Sequence, residues 1–272
     1  MTGRTAAIGL AVFVAAGMPR AGRQSPPLAG TVAPPPVAVW YRGVPAGVPR
    51  QNDLAAIRAL GFSAIAWPAD FGAALSDVTR MAAVADLQVE VRATPHVLTA
   101  EGAFAPPVSV DVSVAPADVP VFTALTWRAV AHGARRIAFD AGSPTGAGID
   151  DANAAWVRPA ASLARQLASN TTLFAALRDV PPLVVESPPN SRLDVVLRQT
   201  ERAWVLIATN LDRTPQRVIA RLPPDVPSAL WVSLMDGDAM SMLSLPGGPR
   251  WTVDLAAGEA RAYVIDKVRK GH

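Results

Sequence analysis

The chain has 272 residues, with 25 Lys and Arg against 22 Asp and Glu, three His and no Cys, and its formal net charge is +3. That length suits one large or two modest domains, and the scattered, nearly balanced charges lack the basic run that marks a nucleic-acid-binding surface. Without Cys there is no disulfide framework, thiolate metal site or thiol nucleophile, and three His argue against a His-rich zinc site. The composition therefore predicts neither a nucleic-acid partner nor a metal or other cofactor.

The N-terminal residues have the pattern of an export signal. Arg4 provides a positive charge, and an apolar run of 13 residues follows at 5–17. This run is shorter than the roughly 20 residues that cross a bilayer and matches the apolar core of a signal peptide. We predict a signal peptide over residues 1–24, a Pro-rich tether over 25–36, and a secreted or periplasmic bacterial protein with no stable membrane insertion after cleavage. An uncut N-terminal membrane anchor is the alternative.

Residues 37–170 alternate between short apolar runs and segments of helical periodicity. Gly61 and Gly133 are placed to end two of the helices. Strand, helix and strand in this order form βαβ units, which build a parallel sheet. The predicted strands are 37–41, 62–67, 87–93, 108–114 and 135–140, the predicted helices are 53–60, 74–85, 118–134 and 153–169, and residues 94–107 are predicted as a loop.

Beyond residue 170 the pattern changes to short strands separated by turn sequences such as PPNS, NLDRTP and PGGP. Seven such strands at this spacing are typical of an antiparallel β-sandwich. We predict them at 183–187, 192–199, 202–210, 217–223, 229–235, 251–255 and 259–266, in a domain over residues 171–268. Because the preceding helix runs directly into this region, we expect the sandwich to pack against the first domain.

Three segments carry a resemblance to a known group of enzymes. They are TWRAVAHGARRIAFD at 126–140, DLAAIRALGFSAIAW at 53–67, and the VLIATN and RVIARLP strands at 205–210 and 217–223. Together they resemble the β-galactosidase-like (β/α)8-barrel glycoside hydrolases, a clan of retaining glycosidases, in which the first segment forms the seventh helix and eighth strand. The resemblance covers residues 37–266. It implies a TIM-barrel-like domain followed by a β-sandwich, and a function in carbohydrate metabolism with a carbohydrate ligand.

The chain also departs from that group in ways that bear on catalysis. An eight-stranded barrel usually occupies about 250 residues, whereas residues 37–169 supply only five predicted strands. The fourth to sixth units are missing between the strands at 87–93 and 108–114. In the resembled clan the acid/base Glu follows an Asn after the fourth strand and the nucleophile Glu lies on the seventh. This chain has no Asn-Glu pair, and the strand at 108–114 contains no Glu. We therefore predict an incomplete barrel whose usual catalytic pair is missing or replaced.

Three carboxylates are candidates for a replacement pair, because barrel enzymes build their sites where the parallel strands end. Asp140 ends a predicted strand, Asp111 is the only carboxylate of the strand at 108–114, and Glu90 lies within the third strand. Glycosidases need two such groups about 5 to 9.5 Å apart. The alternative for Asp140 is a loop-capping role, in which its carboxylate accepts backbone N–H groups. Glu90 and Asp111 face either a lumen or solvent.

Four further residues are candidates for substrate binding. Trp40 and Trp67 lie at strand ends, where an exposed ring could stack on the C–H face of a sugar. Arg42 follows Trp40 and offers hydrogen-bond donors to hydroxyl or carboxylate groups, and Asp70 follows the second strand. The alternative for both tryptophans is packing in the core or at the rim.

The sequence leaves two functions open. The first is a glycoside hydrolase that uses Asp140 with Asp111 or Glu90. The second is a non-catalytic carbohydrate-binding or scaffold protein, which pairs with another subunit to complete the barrel. An incomplete barrel leaves strand edges that must be covered or paired, so an oligomer that covers those edges is part of this second prediction.

Overall fold

A computed structural model describes most of the chain from residue 37 onward. The described residues are 37–40, 49–69, 75–92, 97–98, 109–113, 119–134, 136–140, 154–188, 191–228, 230–243, 245–246 and 248–267. The predicted signal peptide and tether lie outside them and stay predictions. In the part that is described, no helix combines the length and the apolar character needed to cross a membrane.

Four helices form where the apolar periodicity predicts them, a fifth short one at Thr171–Ala175 was not predicted, and two of the four end at glycine. Backbone φ angles of +100° at Gly61 and +86° at Gly133 put both residues in the left-handed region that closes a helix. The N–H of Ala134 then donates to the carbonyl of Ala129, which satisfies an acceptor of the last turn. The described helices are α1 (Gln51–Ala59), α2 (Leu75–Val84), α3 (Val119–Ala131), α4 (Ala154–Ser169) and α5 (Thr171–Ala175).

Six strands of the first half form one sheet in which every described pair is parallel. They are β1 (Val37–Trp40), β2 (Ala64–Pro68), β3 (Gln88–Arg92), β4 (Val97–Leu98), β5 (Ser109–Ser113) and β6 (Arg136–Asp140). Five match the predicted strands, and β4 lies in the segment predicted as a loop. The order across the sheet is β3-β2-β1-β6-β5-β4. Apart from the step from β3 to β4, each strand lies beside the next in sequence, and β6 returns to lie beside β1.

This order is that of a barrel opened between β3 and β4. In a doubly wound sheet, successive strands are added first toward one edge of the sheet and then toward the other. Here the chain moves across the sheet in the same direction from β1 to β3 and from β4 to β6. Parallel connections are almost always right-handed, so a constant direction of travel brings the connecting helices to one face of the sheet. The topology therefore belongs to the TIM-barrel type, with an opening between the two edge strands of the described sheet.

The covalent chain requires this sheet to curve. Four residues separate Arg92 at the end of β3 from Val97 at the start of β4, so their Cα atoms are at most about 18 Å apart. In a flat sheet β3 and β4 would be five strand spacings apart, which is about 24 Å. The two edge strands must therefore approach each other by curling of the sheet.

The two faces of the curved sheet bury different kinds of side chain. On the helix-facing side, Ile65 and Phe139 belong to a large apolar cluster that also contains residues of α1 to α4. On the opposite face, Ala64, Ala66 and Ala138 form a separate buried cluster. Small side chains on the inner face let the walls of a narrow, curved sheet approach each other closely.

The second half is a β-sandwich of two antiparallel sheets. All seven predicted strands are present, together with two short strands that were not predicted. In chain order the strands are β7 (Arg178–Asp179), β8 (Val184–Glu186), β9 (Leu193–Gln199), β10 (Ala203–Asn210), β11 (Gln216–Arg221), β12 (Trp231–Ser233), β13 (Ala239–Met240), β14 (Arg250–Leu255) and β15 (Ala260–Asp266). The larger sheet has the order β13-β12-β15-β10-β9-β7, and the smaller has the order β14-β11-β8.

Strand β10 is buried along its whole length because it contributes to two cores. Leu206 and Ala208 belong to the apolar cluster between the two sheets of the sandwich. Val205 and Ile207 point the other way and belong to the cluster shared with α1 to α4. Burial of both faces explains why the segment is a nearly continuous apolar run rather than an alternating one. The parallel sheet with its helices and the sandwich accordingly share one apolar cluster.

The turn before β14 contains a glycine that no other residue should replace without cost. Gly248 has a φ of +121°, and a Cβ atom there would lie 2.2 Å from the carbonyl oxygen of Leu222. We expect Gly248→Ala to lower the free energy of unfolding by about 2–3 kcal/mol, because the turn must shift and the backbone is strained. Gly237→Ala is the matched control, since its φ is +79° but its added Cβ would meet no atom within 4 Å. Equal losses in urea unfolding of the two variants would contradict the steric explanation.

Candidate functional site

The carboxyl ends of the parallel strands bring together several of the predicted site residues. One row of registered positions crosses four strands: Glu90 is paired with Ala66, Ala66 with Trp40, and Trp40 with Asp140. These three candidates therefore occupy one level of the sheet although they are up to 100 positions apart in the sequence. The sheet thus provides the common edge that a barrel-type site requires.

Asp111 lies on β5, directly beside the strand that carries Asp140. Its registered partner on β6 is Ala138, two residues before Asp140. With strands about 4.8 Å apart and about 3.3 Å of rise per residue, the Cα atoms of Asp111 and Asp140 are roughly 8 Å apart. Their backbone positions are described, as is that of Trp40, whereas the side chains of all three lie outside the described part of the structure. Arg42 and Asp70 lie outside the described residues altogether.

Glu90 has a described side chain, and it lies on the inner face of the sheet. Its neighbour Val89 packs against the helix-facing core, so Glu90 points to the opposite side, the side of its registered partner Ala66. The carboxyl group is partly buried rather than solvated. Of the two environments that the sequence left open for Glu90, the structure shows the one inside the curved sheet.

Trp67 requires a correction. The sequence offered it as a substrate-binding platform, but its side chain is 1% exposed and belongs to the helix-facing apolar cluster. Odd-numbered positions of β2 face the helices and even-numbered ones face inward, and this alternation carries the ring of Trp67 into the core. Trp67 therefore contributes packing and presents no ring face to a ligand in this structure.

A partly buried polar cluster that the sequence did not reveal joins α3 to the sandwich. The Oδ2 atom of Asp194, on β9, lies 3.2 Å from Nε of Arg128 and 2.5 Å from Nε2 of His132. Arg198, also on β9, donates from Nε to the carbonyl oxygen of Ala131 at 2.6 Å. These contacts hold the C-terminal end of α3 on the larger sheet, which agrees with a structural role for His132.

The described residues contain no group of three or more His, Asp or Glu side chains arranged to hold a metal ion. The candidate groups near the strand ends, Asp140, Asp111 and Glu90, are carboxylates. The chemistry they can support is proton transfer, nucleophilic attack or hydrogen bonding to a polar ligand.

Comparison with known proteins gives a likeness of fold. No protein-family model matches the chain, and no curated protein sequence matches it either. Among solved structures, a noncanonic maltogenic alpha-amylase from Thermotoga neapolitana aligns over 85% of this chain and 98% of its own, with 7% identity and a TM-score of 0.52. At this identity the likeness concerns the fold alone.

Two further solved structures align over smaller shares. A GH30 endoxylanase from Clostridium papyrosolvens is 10% identical over 75% of this chain and 49% of its own, with a TM-score of 0.32. A GH42 beta-galactosidase from G. stearothermophilus is 16% identical over 39% of this chain, with a TM-score of 0.22. The chain spans only 13% of the length of that beta-galactosidase. All three of these solved structures are described as glycoside hydrolases, and with TM-scores of 0.32 and 0.22 the last two add nothing to the likeness of fold.

Proposed function

We propose that the chain is a glycoside-hydrolase-like protein of carbohydrate metabolism in which two aspartates, Asp140 and Asp111, replace the usual pair of glutamates. The observation that carries the proposal is the pairing of β6 with both β1 and β5, which sets the two aspartates on adjacent strands near the carboxyl edge of a barrel-type sheet. The fold shared with a chain described as a maltogenic alpha-amylase supports the carbohydrate-related part of the proposal.

The spacing of the pair favours one stereochemical outcome. The Cα atoms of Asp140 and Asp111 are roughly 8 Å apart, and this backbone separation is the basis of the comparison. Inverting glycosidases hold their carboxyl groups about 6.5–9.5 Å apart, with a water between them, whereas retaining ones hold them about 5–5.5 Å apart. Hydrolysis through Asp140 and Asp111 is therefore proposed to invert the anomeric carbon.

Glu90 is a weaker partner for Asp140 than Asp111 is. Three strand spacings separate Glu90 from Asp140 along the registered row, which is about 14 Å measured along the sheet. Only strong convergence of the two side chains across a curved sheet would bring that pair to a catalytic separation. Glu90 is better suited to bind a hydroxyl group of a ligand inside the curve.

The proposal is tested by hydrolysis assays on a panel of 4-nitrophenyl glycosides of glucose, galactose and xylose in both anomeric forms. We expect Asp140→Asn and Asp111→Asn each to lower kcat/KM by about 10²-fold or more, because each removes a proton-transfer group. Asp254→Asn, at an exposed carboxylate on β14, is the control and should leave the rate unchanged. Proton NMR of the first-formed sugar should show the inverted anomer.

Unchanged hydrolysis in Asp140→Asn would remove this residue from the mechanism, and a retained anomer would contradict the assignment of the pair. A wild-type protein that binds the sugars but hydrolyses none of them would instead favour the second function, a non-catalytic carbohydrate-binding or scaffold protein. The distance from Glu90 to Asp140 along the sheet is the observation that favours this second function.

A further inference from the structure

A concave site lies at the edge of the sandwich, and none of the candidate residues at the strand ends lines it. Its volume is about 340 Å³, near the low end of the roughly 300–1,000 Å³ usual for small-molecule sites. Three parts of the chain meet there: α3, the connection between β12 and β13, and the turn between β14 and β15. The lining residues are Thr123, Met235, Asp236, Gly258, Glu259, Ala260 and Arg261.

Arg261 is the central charged group of this cavity. Its Nε atom lies 2.5 Å from Oε1 of Glu259. Burial disfavours the charge of Arg261, but the nearby Glu259, Tyr263 and Asp236 outweigh that effect and raise the pKa of the guanidinium above its usual value. The guanidinium of Arg261 therefore stays protonated, and its five N–H groups place hydrogen-bond donors at the cavity wall.

The two carboxylates of the cavity are held in place by the protein itself. Glu259 accepts the N–H of Ala256 through Oε2 at 2.6 Å, which fixes the carboxylate across the β14–β15 turn. A hydrogen bond with the Ser233 side chain, then one with the Asp238 N–H, lowers the pKa of Asp236, and Arg261 adds to the effect. Both carboxylates are thus preorganised as acceptors, which reduces the entropy cost of binding a ligand.

The charge and composition of the wall restrict the kind of ligand. One guanidinium and two carboxylates give a formal charge of −1, so phosphates and carboxylates are repelled. The wall offers donors on Arg261 and acceptors on Glu259 and Asp236, and Met235, Gly258 and Ala260 add apolar lining. Neighbouring hydroxyl groups of a sugar both donate and accept hydrogen bonds, and the C–H face of its ring suits an apolar contact. A neutral monosaccharide unit matches all three properties.

The cavity also lies toward the end of the molecule where the parallel strands end. Strand β5 ends at Ser113 and α3 begins at Val119, so the N-terminal end of α3 is on the carboxyl side of the sheet. Thr123, which lines the cavity, is in the second turn of that helix. The cavity and the strand-end edge therefore share one end of the fold.

We propose that this cavity is an accessory binding site for one neutral sugar unit, with Arg261, Glu259 and Asp236 as its hydrogen-bonding groups. The inference deepens the carbohydrate-related function proposed above and rests on it for the choice of ligand. It requires no catalysis, and its residues are separate from Asp140 and Asp111.

The test measures binding of the methyl glycosides of glucose, galactose and xylose by saturation-transfer NMR and calorimetry. We expect at least one to bind the wild type, with methyl glucuronide, its anionic counterpart, excluded. Arg261→Lys, which keeps the charge but loses the planar fork, and Glu259→Gln should each weaken that binding at least tenfold. Glu186→Gln is the matched control, because Glu186 also contacts arginines, Arg221 and Arg250, but on the smaller sheet.

The variant Asp140→Asn separates this inference from the proposed function. Binding that persists in Asp140→Asn but is lost in Arg261→Lys and Glu259→Gln supports the accessory site, even when no hydrolysis is found. Binding that is lost in Asp140→Asn and unchanged in both cavity variants overturns it and assigns the sugar to the strand ends. The absence of binding by any neutral glycoside also overturns it. Circular dichroism on each variant shows that the fold is retained.

Discussion

Replacing Trp127 with alanine is expected to lower the free energy of unfolding by about 3–5 kcal/mol, the usual cost of removing a large buried aromatic side chain. Trp127 is 0% exposed and lies in the cluster shared by the parallel sheet, its helices and the sandwich. Its ring packs edge-on against that of Phe174, with 5.7 Å between the ring centroids. The deletion removes apolar contacts and leaves a cavity at the centre of the molecule.

Because the cluster belongs to both halves, the loss should appear in both halves at once. We expect Trp127→Ala to shift the urea midpoint equally when unfolding is followed by far-UV circular dichroism and by tryptophan fluorescence. Leu230→Ala is the control, since Leu230 is 60% exposed and its removal should cost under about 0.5 kcal/mol. Two separate transitions, of which only one moves, would show that the halves unfold independently and would contradict the shared core.

Removing the carboxylate of Asp194 is also expected to have a large effect: Asp194→Ala should lower the free energy of unfolding by about 2–3 kcal/mol. The carboxylate is 22% exposed and its partner Arg128 is 18% exposed, so both are largely withdrawn from water. The alanine variant leaves Arg128 with an uncompensated, mostly buried charge, and the partial exposure keeps the cost below the 3–5 kcal/mol of a fully buried pair. Chemical unfolding at low and high salt measures the loss.

The exposed ion pair between Arg217 and Asp254 provides the matched control for Asp194. Its two side chains are 69% and 75% exposed, and its atoms are 3.6 Å apart. Asp254→Ala should change stability very little, since exposed pairs contribute almost nothing after screening. If Asp194→Ala were equally mild, the cluster of Asp194, Arg128 and His132 would not be what holds α3 on the sandwich.

The features that the sequence did not predict all depend on contacts with residues outside the segment in which they occur. Strand β4 has two residues and forms only by pairing with β5, so no local periodicity indicates it. Side chains along β2 and β3 alternate between the two faces of the sheet, so the pattern around Trp67 and Glu90 does not say which face each of them occupies. Which side of the strand faces the helices depends on packing that the sequence of one strand does not encode.

The cavity around Arg261 illustrates the same point. Asp236 and Glu259 belong to two different turns, and Thr123 belongs to a helix of the other half. In the sequence the only indications are a charged turn, DGD at 236–238, and a glycine before the strand that begins at Ala260. Neither pattern shows that the two turns meet.

Sequence patterns were enough to predict four of the five described helices, twelve of the fifteen described strands, the change from parallel α/β to antiparallel β structure near residue 170, and the glycines that end α1 and α3. These features depend on local periodicity and on the conformational freedom of glycine, both of which are written in a short stretch of chain. The folded structure was needed to show that β6 returns to β1, that Trp127 joins both halves in one core, and that Asp111 and Asp140 lie on adjacent strands. Those relations depend on the curling of the sheet and on burial between distant segments, which are properties of the whole chain.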